Sequence, residues 1–374
     1  MAIGVDKSIT EHIPLRDDSD RAFTSRNPES DICIVMYGGG LTSFESARRS
    51  ILTYGKENTE IWFADTRTED RDLYRFNRDV ERALGKEITV FDQGVDIWGV
   101  FFQQRALGNS RIDPCSKFLK RKPLREELDR RFHQWKCSTC HTHIPENPTK
   151  IKVTGESGRP ITKVACPICA KGDPGYASLI GEYEALSRGN ELDSERAREV
   201  FRSLDDRLEP ADEDGRTVRV VLGMDKIDDC SRAARAELSF MPYRVWFPLD
   251  DGVPAFKERI AESLLSVGVR PPRLYDMGFK HNNCGGFCVK AGLGQIAHFY
   301  KTKPDEFLEH ERREQEFRET INPNVSIFSR NVEGRKQPMT MRALRERIEA
   351  GEEFKFDASP SFECQCFSPG EAYS

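Results

Sequence analysis

The stretch DICIVMYGGGLTS, residues 31–43, decides the fold. Residues 31–36 are an apolar run of strand length, the pattern of a strand that is buried on both faces. The turn that ends this run contains, in order, Gly38, Gly39, Gly40, Leu41, Thr42 and Ser43. Thr42 and Ser43 are predicted to cap a following helix. A strand, a glycine turn and a helix N-terminus together predict an anion site, because backbone N–H groups and the helix dipole converge there. The alternative is a tight turn without a ligand.

Further strands and helices alternate after this turn. Residues 60–64 form a second apolar run that ends at Asp65 and Thr66, and a helical pattern follows over residues 70–84. Later strands are predicted at residues 86–91 and 219–223. This alternation predicts an α/β fold with a doubly wound parallel sheet. The carboxyl end of a parallel strand is where ligands meet such sheets, so Asp65 and Thr66 are candidate binding residues.

Composition limits the class of protein. The chain has 374 residues, of which 37% are hydrophobic and 32% charged, and its net charge is -5. It contains no apolar run of membrane-helix length and begins without a secretory signal pattern, so we expect a cytoplasmic protein with no membrane partner. The negative charge argues against wholesale coating of nucleic acid.

One segment is basic although the chain as a whole carries a net negative charge. Residues 105–136 contain ten Lys or Arg and four Asp or Glu, a local net charge of +6. Lys117, Lys120 and Arg121 lie in this segment and are predicted to neutralise phosphate groups. The alternative for each of them is a solvated helix face.

Eight of the eleven cysteines occur in close pairs. Two pairs have the CxxC spacing: Cys137 with Cys140, and Cys166 with Cys169. Two such turns complete a tetrahedron of thiolates, so an inserted zinc ribbon with a closed, structural metal site is predicted. The alternative, a redox CxxC, needs only one of the two pairs.

The remaining pairs are Cys284 with Cys288, and Cys364 with Cys366. The first pair lies in a glycine-rich turn, and we expect both of its thiols near a helix N-terminus. If the C-terminal tail folds back, four thiolates meet and could hold a second zinc ion or an iron–sulfur cluster. Reactive thiols and simple packing remain as alternatives.

Four motifs follow one another in order. In the glycine turn, Tyr37 stands where the pattern Ser-Gly-Gly-x-Asp-Ser has its first Ser, and Leu41 stands where it has Asp. The others are ADTR at residues 64–67, CSKFLKRKP at residues 115–123, and GMD at residues 223–225 with Ser231 and Arg232 after it. This order resembles the PP-loop superfamily, the adenine nucleotide alpha hydrolases, and within it the phosphoadenosine phosphosulfate reductase family. The resemblance covers about residues 30–130 and 217–300.

The resemblance implies an enzyme that binds an adenine nucleotide, either ATP or phosphoadenosine phosphosulfate, with Mg²⁺ as a further cofactor. The residues that it implies for binding are those of the glycine turn together with Asp65, Thr66, Lys117, Lys120, Arg121 and Arg232. The expected reaction is ATP-dependent adenylation with sulfur transfer through Cys284 and Cys288 to an acceptor such as a nucleic acid, with a sulfur carrier as another candidate partner. One alternative is a thiol-dependent sulfonucleotide reductase that attacks with Cys364 or Cys366. Another is a nucleotide- or nucleic-acid-binding protein without turnover.

The expected organisation divides the chain into six parts. These are a polar arm (1–30), the first part of the α/β domain (31–136), the zinc ribbon (137–172), a charged helical connection (173–216), the second part of the α/β domain (217–300), and a C-terminal extension of helices with a cysteine-bearing tail (301–374).

Overall fold

The structure is a computed structural model. It describes residues 31–355, apart from residues 146–147, 155–159, 193, 205–206, 225–229, 251–256, 267 and 333–334 and some side chains close to them. None of the helices within these ranges combines the length and the apolar composition that crossing a bilayer requires.

The strands, in chain order, are β1 (Asp31–Tyr37), β2 (Thr59–Asp65), β3 (Ile88–Asp92), β4 (Gln134–Cys137), β5 (His143–Ile144), β6 (Thr149–Thr154), β7 (Pro160–Ala165), β8 (Leu208–Ala211), β9 (Thr217–Leu222), β10 (Arg244–Trp246), β11 (Phe328–Val332) and β12 (Arg335–Met339).

The helices are α1 (Leu41–Tyr54), α2 (Arg71–Leu84), α3 (Ile97–Gln104), α4 (Lys122–Arg131), α5 (Cys169–Gly172), α6 (Pro174–Arg188), α7 (Glu195–Ser203), α8 (Cys230–Phe240), α9 (Lys257–Ser266), α10 (Arg273–Asp276), α11 (Leu293–Thr302), α12 (Pro304–Thr320) and α13 (Met341–Glu349). A π-helical turn, Ser116–Arg121, leads into α4, and a 3-10 turn spans Asn283–Gly286.

The central sheet is mixed and largely parallel. Its order is β3-β2-β1-β9-β8-β4-β5, and β10 also pairs with β9. The pairs among β3, β2, β1, β9 and β10 are parallel, as predicted. The prediction of a wholly parallel sheet is wrong at the other edge, where β8, β4 and β5 pair in antiparallel fashion.

Helices cover both faces of the parallel part. Alternate β1 residues point to opposite sides, as a strand requires. Cys33, Val35 and Tyr37 pack in one apolar cluster with α1, α2 and α9. Ile32, Ile34 and Met36 pack in another, with α4 and α8. Burial on both faces explains why β1 reads as a continuous apolar run.

The order in which the chain adds strands to the sheet reverses between β1 and β9. From β1 it runs to β2 and β3 on one side, and it later enters β9 on the other side of β1. This is a topological switch point, and the region beyond the carboxyl ends of the two strands, here called the crevice, is where ligands typically bind in such sheets. The glycine turn follows β1 directly at this crevice.

The paired CxxC cysteines belong to a larger unit than a short insertion. The hairpin β6–β7, the helices α6 and α7, and the strands β4 and β8 share one buried apolar cluster with Cys137, Cys166 and Cys169. Because β4 and β8 also continue the central sheet, this unit, here called the cysteine module, is attached to the sheet by backbone hydrogen bonds.

The C-terminal elements form a fourth apolar cluster. It joins α3, α11, α12 and α13 to the hairpin β11–β12. Phe287 and Val289, on either side of Cys288, are buried in it. The C-terminal elements therefore support the segment that carries Cys284 and Cys288.

Candidate functional site

The glycine turn closes on itself. The Gly38 N–H donates to Ser43 Oγ at 3.1 Å, and Gly39 has φ +74°. The N-cap of α1 is Gly40, which has no side chain to cap the helix, and the Leu41 N–H donates to the Tyr275 hydroxyl at 3.4 Å. The prediction that Thr42 or Ser43 caps α1 is therefore wrong, because the Ser43 hydroxyl accepts from Gly38 instead. Among the described residues, the Thr42 and Ser43 N–H groups in the first turn of α1 have no side-chain acceptor.

Gly223, at the end of β9, passes close to this turn. A Cβ at Gly223 would lie 3.0 Å from the Ser43 Cα and N and from the Thr42 carbonyl oxygen. These are backbone atoms that cannot rotate away, so glycine is needed there. The end of β9 therefore makes close backbone contact with the first turn of α1 at Gly223.

Substitution of Gly39 is expected to destabilise the protein. An Ala Cβ there would lie 2.2 Å from Leu73 Cδ1 in the core, and the residue would hold a left-handed conformation. We expect Gly39→Ala to lower the free energy of unfolding by about 2–4 kcal/mol. Gly38→Ala is the matched control, because its nearest contacts are Asn283 Oδ1 at 3.4 Å and Ser43 Oγ at 3.5 Å. Equal midpoints of urea unfolding for the two variants would contradict the assigned turn geometry.

The turn after β2 lies beside the glycine turn. Asp65 accepts a hydrogen bond from the Arg67 N–H at 2.8 Å and from the Tyr74 hydroxyl at 3.0 Å. Burial and the Asp65 carboxylate raise the pKa of Tyr74, so this hydroxyl stays protonated and donates. Thr66 Oγ1 donates to Glu69 Oε1 at 3.0 Å. Both predicted residues of this turn are therefore tied into its hydrogen bonds.

The Cys284 turn packs on the turn after β2. The Cys284 N–H donates to Glu69 Oε2 at 2.5 Å, and a Cβ at Gly285 would lie 2.7 Å from the Thr68 carbonyl oxygen. Asn282 Nδ2 donates to the Gly39 carbonyl at 3.0 Å. The structure thus brings the glycine turn, the turn after β2 and the Cys284 turn into contact.

Cys284 has an unusual backbone. It is buried, with φ 51° and ψ 39°, inside the 3-10 turn. A non-glycine residue in this left-handed region is held there by its surroundings, and such residues cluster at functional sites. The expectation that Cys284 and Cys288 lie at a helix N-terminus is wrong, because α11 begins only at Leu293.

The buried Asp70 carboxylate is linked to the same turn through Lys303. Asp70 caps α2 by accepting from the Asp72 N–H, and it also accepts from Arg273 and from Lys303 Nζ, the last at 2.9 Å. Lys303 Nζ donates in addition to the Gly285 carbonyl at 3.1 Å. Although burial opposes it, these hydrogen bonds lower the pKa of Asp70. Glu69 therefore holds the Cys284 turn directly, and Asp70 holds it through Lys303.

The basic segment is neutralised largely from within the chain. Lys120 is buried and pairs with Glu69 at 3.7 Å. Arg121 forms two hydrogen bonds to the buried Asp113, at 3.0 and 3.1 Å, and Lys290 pairs with the same carboxylate at 2.8 Å. Lys117 Nζ lies 5.3 Å from the Phe118 ring centroid. Lys120 therefore contacts the turn after β2, through its ion pair with Glu69.

Cys115 is one of the three cysteines that do not occur in a close pair. It precedes the π-helical turn and packs against the same apolar cluster as Phe287 and Val289. The Asp113–Lys290 pair joins its segment to that of Cys288. The signal in the sequence is its place in CSKFLKRKP, since Arg121 of that motif and Lys290 of the Cys288 segment pair with the same carboxylate, Asp113.

Two positions that depart from the PP-loop pattern are core residues. Tyr37 and Leu41 are 2% and 3% exposed and belong to the apolar cluster of α1 and α2. Gly38, Thr42 and Ser43 remain partly exposed. The substitutions at positions 37 and 41 therefore add packing, and they leave the partly exposed atoms of the turn unchanged.

The four CxxC cysteines converge. The Sγ atoms of Cys137 and Cys169 are 3.7 Å apart, as are those of Cys140 and Cys166, and all four lie within 4.8 Å of one another. The two knuckles are alike, since the Cys140 N–H approaches Cys137 Sγ at 3.5 Å and the Cys169 N–H approaches Cys166 Sγ at 3.5 Å. This group could hold a metal, such as zinc or iron in a cluster.

No protein-family model and no curated protein matches this chain. What the site does must therefore follow from its own chemistry. Among the predicted site residues, Cys364, Cys366 and the side chain of Arg232 lie outside the part that the structure describes. All the others lie either at the three contacting turns, in the basic segment beside them, or in the cysteine module.

Proposed function

We propose that the crevice between β1 and β9 binds an adenine nucleotide. The observation that carries the proposal is the glycine turn at the topological switch point, followed by the first turn of α1, where the Thr42 and Ser43 N–H groups have no side-chain acceptor among the described residues. Backbone N–H groups at such a position favour phosphate oxygens. Supporting observations are the close approach of Gly223 and the partial exposure of Gly38, Thr42 and Ser43. The resemblance of the four motifs to the PP-loop superfamily makes ATP the first candidate.

The reaction that we propose is adenylation of an acceptor oxygen, followed by sulfur transfer through Cys284. Attack of the acceptor oxygen on the α-phosphate of ATP would break the bond to the β-phosphate group and release pyrophosphate. A persulfide on Cys284, loaded by an external sulfur donor, would then attack the adenylated carbon and displace AMP. Attack of the Cys288 thiolate on Cys284 Sγ would release the thiolated acceptor and leave a Cys284–Cys288 disulfide, which an external thiol would reduce. Cys284 supports this order because its turn contacts both the glycine turn and the turn after β2. A nucleic acid is the proposed acceptor. Cys288 lies half-buried four residues further on and is the proposed second thiol.

Binding without turnover is the second candidate. It is favoured by the engagement of Lys120 and Arg121 with Glu69 and Asp113, since a cation held by a carboxylate has less capacity for phosphate. Acceptor-dependent exchange of pyrophosphate into ATP separates the two proposals. Exchange supports adenylation, and nucleotide binding without exchange supports the second candidate. Release of sulfite from phosphoadenosine phosphosulfate would instead establish a sulfonucleotide reductase.

We further propose that the four cysteines of the module bind one structural Zn²⁺. A tetrahedral ion with Zn–S bonds of about 2.3 Å places its sulfurs about 3.8 Å apart. The Sγ separations of 3.7 Å fit this value. In an iron–sulfur cluster the four thiolates are divided between two or more irons, so some of their sulfurs lie further apart than in a site with one ion, whereas here all four Sγ atoms lie within 4.8 Å of one another. Four thiolates leave no open position, so the ion would supply folding energy to the cysteine module.

Binding of the nucleotide is tested with Gly38→Ala. The added methyl group would narrow the crevice between the glycine turn and Asn283 without a steric clash. We expect at least a tenfold loss of ATP affinity by isothermal titration calorimetry, which corresponds to about 1.4 kcal/mol. The matched control is Gly181→Ala on α6, where a Cβ would meet nothing within 4 Å. Unchanged affinity in Gly38→Ala would remove the glycine turn from the binding site.

A further inference from the structure

Four metal-bound thiolates create an excess of negative charge inside the cysteine module. Four thiolates and one divalent cation carry a net charge of -2. Cys137 and Cys166 are fully buried and Cys169 is 6% exposed, so solvent compensates little of this charge. Such a centre needs a nearby positive group or several N–H donors.

Arg207 is placed to supply that charge. Its guanidinium donates to Asp173 Oδ2 at 2.8 Å, and the Asp173 N–H donates to the Cys169 carbonyl at 2.9 Å, which places the guanidinium beside the second knuckle. The guanidinium carbon lies 4.0 Å from the centroid of the Tyr176 ring, so the group is stacked as well as paired. Its side chain is only 12% exposed.

The same residue contacts both knuckles. The Arg207 carbonyl accepts from the Ser138 N–H at 2.7 Å, between Cys137 and Cys140. Its stacking partner Tyr176 accepts through its hydroxyl from the Cys166 N–H at 3.4 Å. Asp173, its ion partner, caps α6 by accepting from the Tyr176 N–H at 3.1 Å. Backbone, ring and guanidinium together therefore join the two halves of the four-cysteine group.

We propose that Arg207 is the positioning residue of the metal centre, compensating its charge and fixing the second knuckle against the first. This inference rests on the metal site proposed above. Arg is suited to the role because it stays charged and because its planar group can stack on the Tyr176 ring while donating to the Asp173 carboxylate. Outer-shell partners of this kind typically change metal affinity by about 10–100-fold.

The test is metal transfer from the full-length protein to a chromogenic chelator. We expect Arg207→Met to accelerate zinc release by about 10–100-fold, and Arg207→Lys, which keeps the charge, to fall between it and the wild type. Arg196→Met is the matched control, because Arg196 lies in the same module, is 59% exposed and pairs with Glu182. In the Co²⁺-substituted protein, Arg207→Met should also shift the thiolate-to-metal charge-transfer band to longer wavelength, since loss of a positive neighbour raises the sulfur electrons in energy.

Three outcomes overturn the inference and are distinguishable. If the wild-type protein holds zinc while Arg207→Met releases it no faster than Arg196→Met, with an unshifted Co²⁺ band, Arg207 does not position the centre. If the wild-type protein holds no metal, the metal site itself fails and the role of Arg207 fails with it. An unshifted band together with faster release would indicate loss of packing alone and would also contradict charge compensation.

Discussion

Cys166→Ser is expected to abolish zinc binding and to unfold the cysteine module. The wild-type protein should contain about one equivalent of zinc, and the variant almost none, because three thiolates leave the tetrahedron open. The apolar cluster around Cys166 has the fewest buried residues of the four described, and a structural zinc ion contributes about 10–16 kcal/mol of apparent binding energy. We therefore expect rapid proteolysis within residues 138–207 of the variant.

Cys115→Ser is the control for this experiment. Cys115 is half-buried and lies outside the four-cysteine group, so its replacement should leave zinc content and protease resistance unchanged. Metal analysis together with limited proteolysis measures both effects. A Cys166→Ser protein that retains a full equivalent of zinc would contradict the assignment of the ligands. Iron with sulfide in the wild-type protein would show that the four cysteines bind an iron–sulfur cluster and not zinc.

Glu69→Ala is expected to cost about 3–5 kcal/mol of stability. The Glu69 carboxylate is 1% exposed, and its removal leaves the buried Lys120 ammonium and the Cys284 N–H without this partner. The Cys284 turn should then loosen. We expect a lower midpoint of urea unfolding and faster alkylation of Cys284, measured by peptide mass spectrometry, because this thiol is only 9% exposed in the intact turn.

A double variant separates charge from packing. Glu69→Ala with Lys120→Met removes both members of the buried pair, so it should recover more than half of the lost stability. Glu346→Ala on the exposed face of α13 is the control and should change neither measurement. If Glu69→Ala left the Cys284 alkylation rate at its wild-type value, Glu69 would not hold this turn.

The sequence predicts the parallel part of the fold well. Its strongest signals are local: the apolar run of β1, the glycine turn, and α2 with Asp70 before it and Gly85 after it. Each of these follows from burial, capping or backbone conformation within one short segment. The observed bounds of β1 and α2 agree with the predicted ones to within a residue.

The antiparallel edge could not be predicted in the same way. The strand Gln134–Cys137 has four residues and little apolar periodicity, and its partner Leu208–Ala211 follows only after the whole cysteine module. Pairing between such short strands is decided by tertiary contacts. The prediction therefore placed the start of the module at residue 137 and assigned 173–216 to a separate connection, whereas β4, α6, α7 and β8 share one apolar cluster with the cysteines.

The candidate site was predictable in its residue types but not in their partners. Glycines, cysteines and basic residues are visible in the sequence. That Glu69 and Asp113 fold against Lys120 and Arg121 is not visible, because these acids carry no pattern of their own. The same holds for Lys303, which reaches Gly285 only through the packing of the C-terminal helices.

Photoaffinity labelling with an azido derivative of ATP, followed by peptide mapping, tests the central claim most directly. If the crevice between β1 and β9 binds the nucleotide, labels will fall on peptides that contain residues 38–43, 65–74 or 223–224, and unmodified ATP will suppress them. Gly38→Ala will reduce this labelling, and Gly181→Ala will not. Competed labels confined to the cysteine module or to α12 and α13 would contradict the claim.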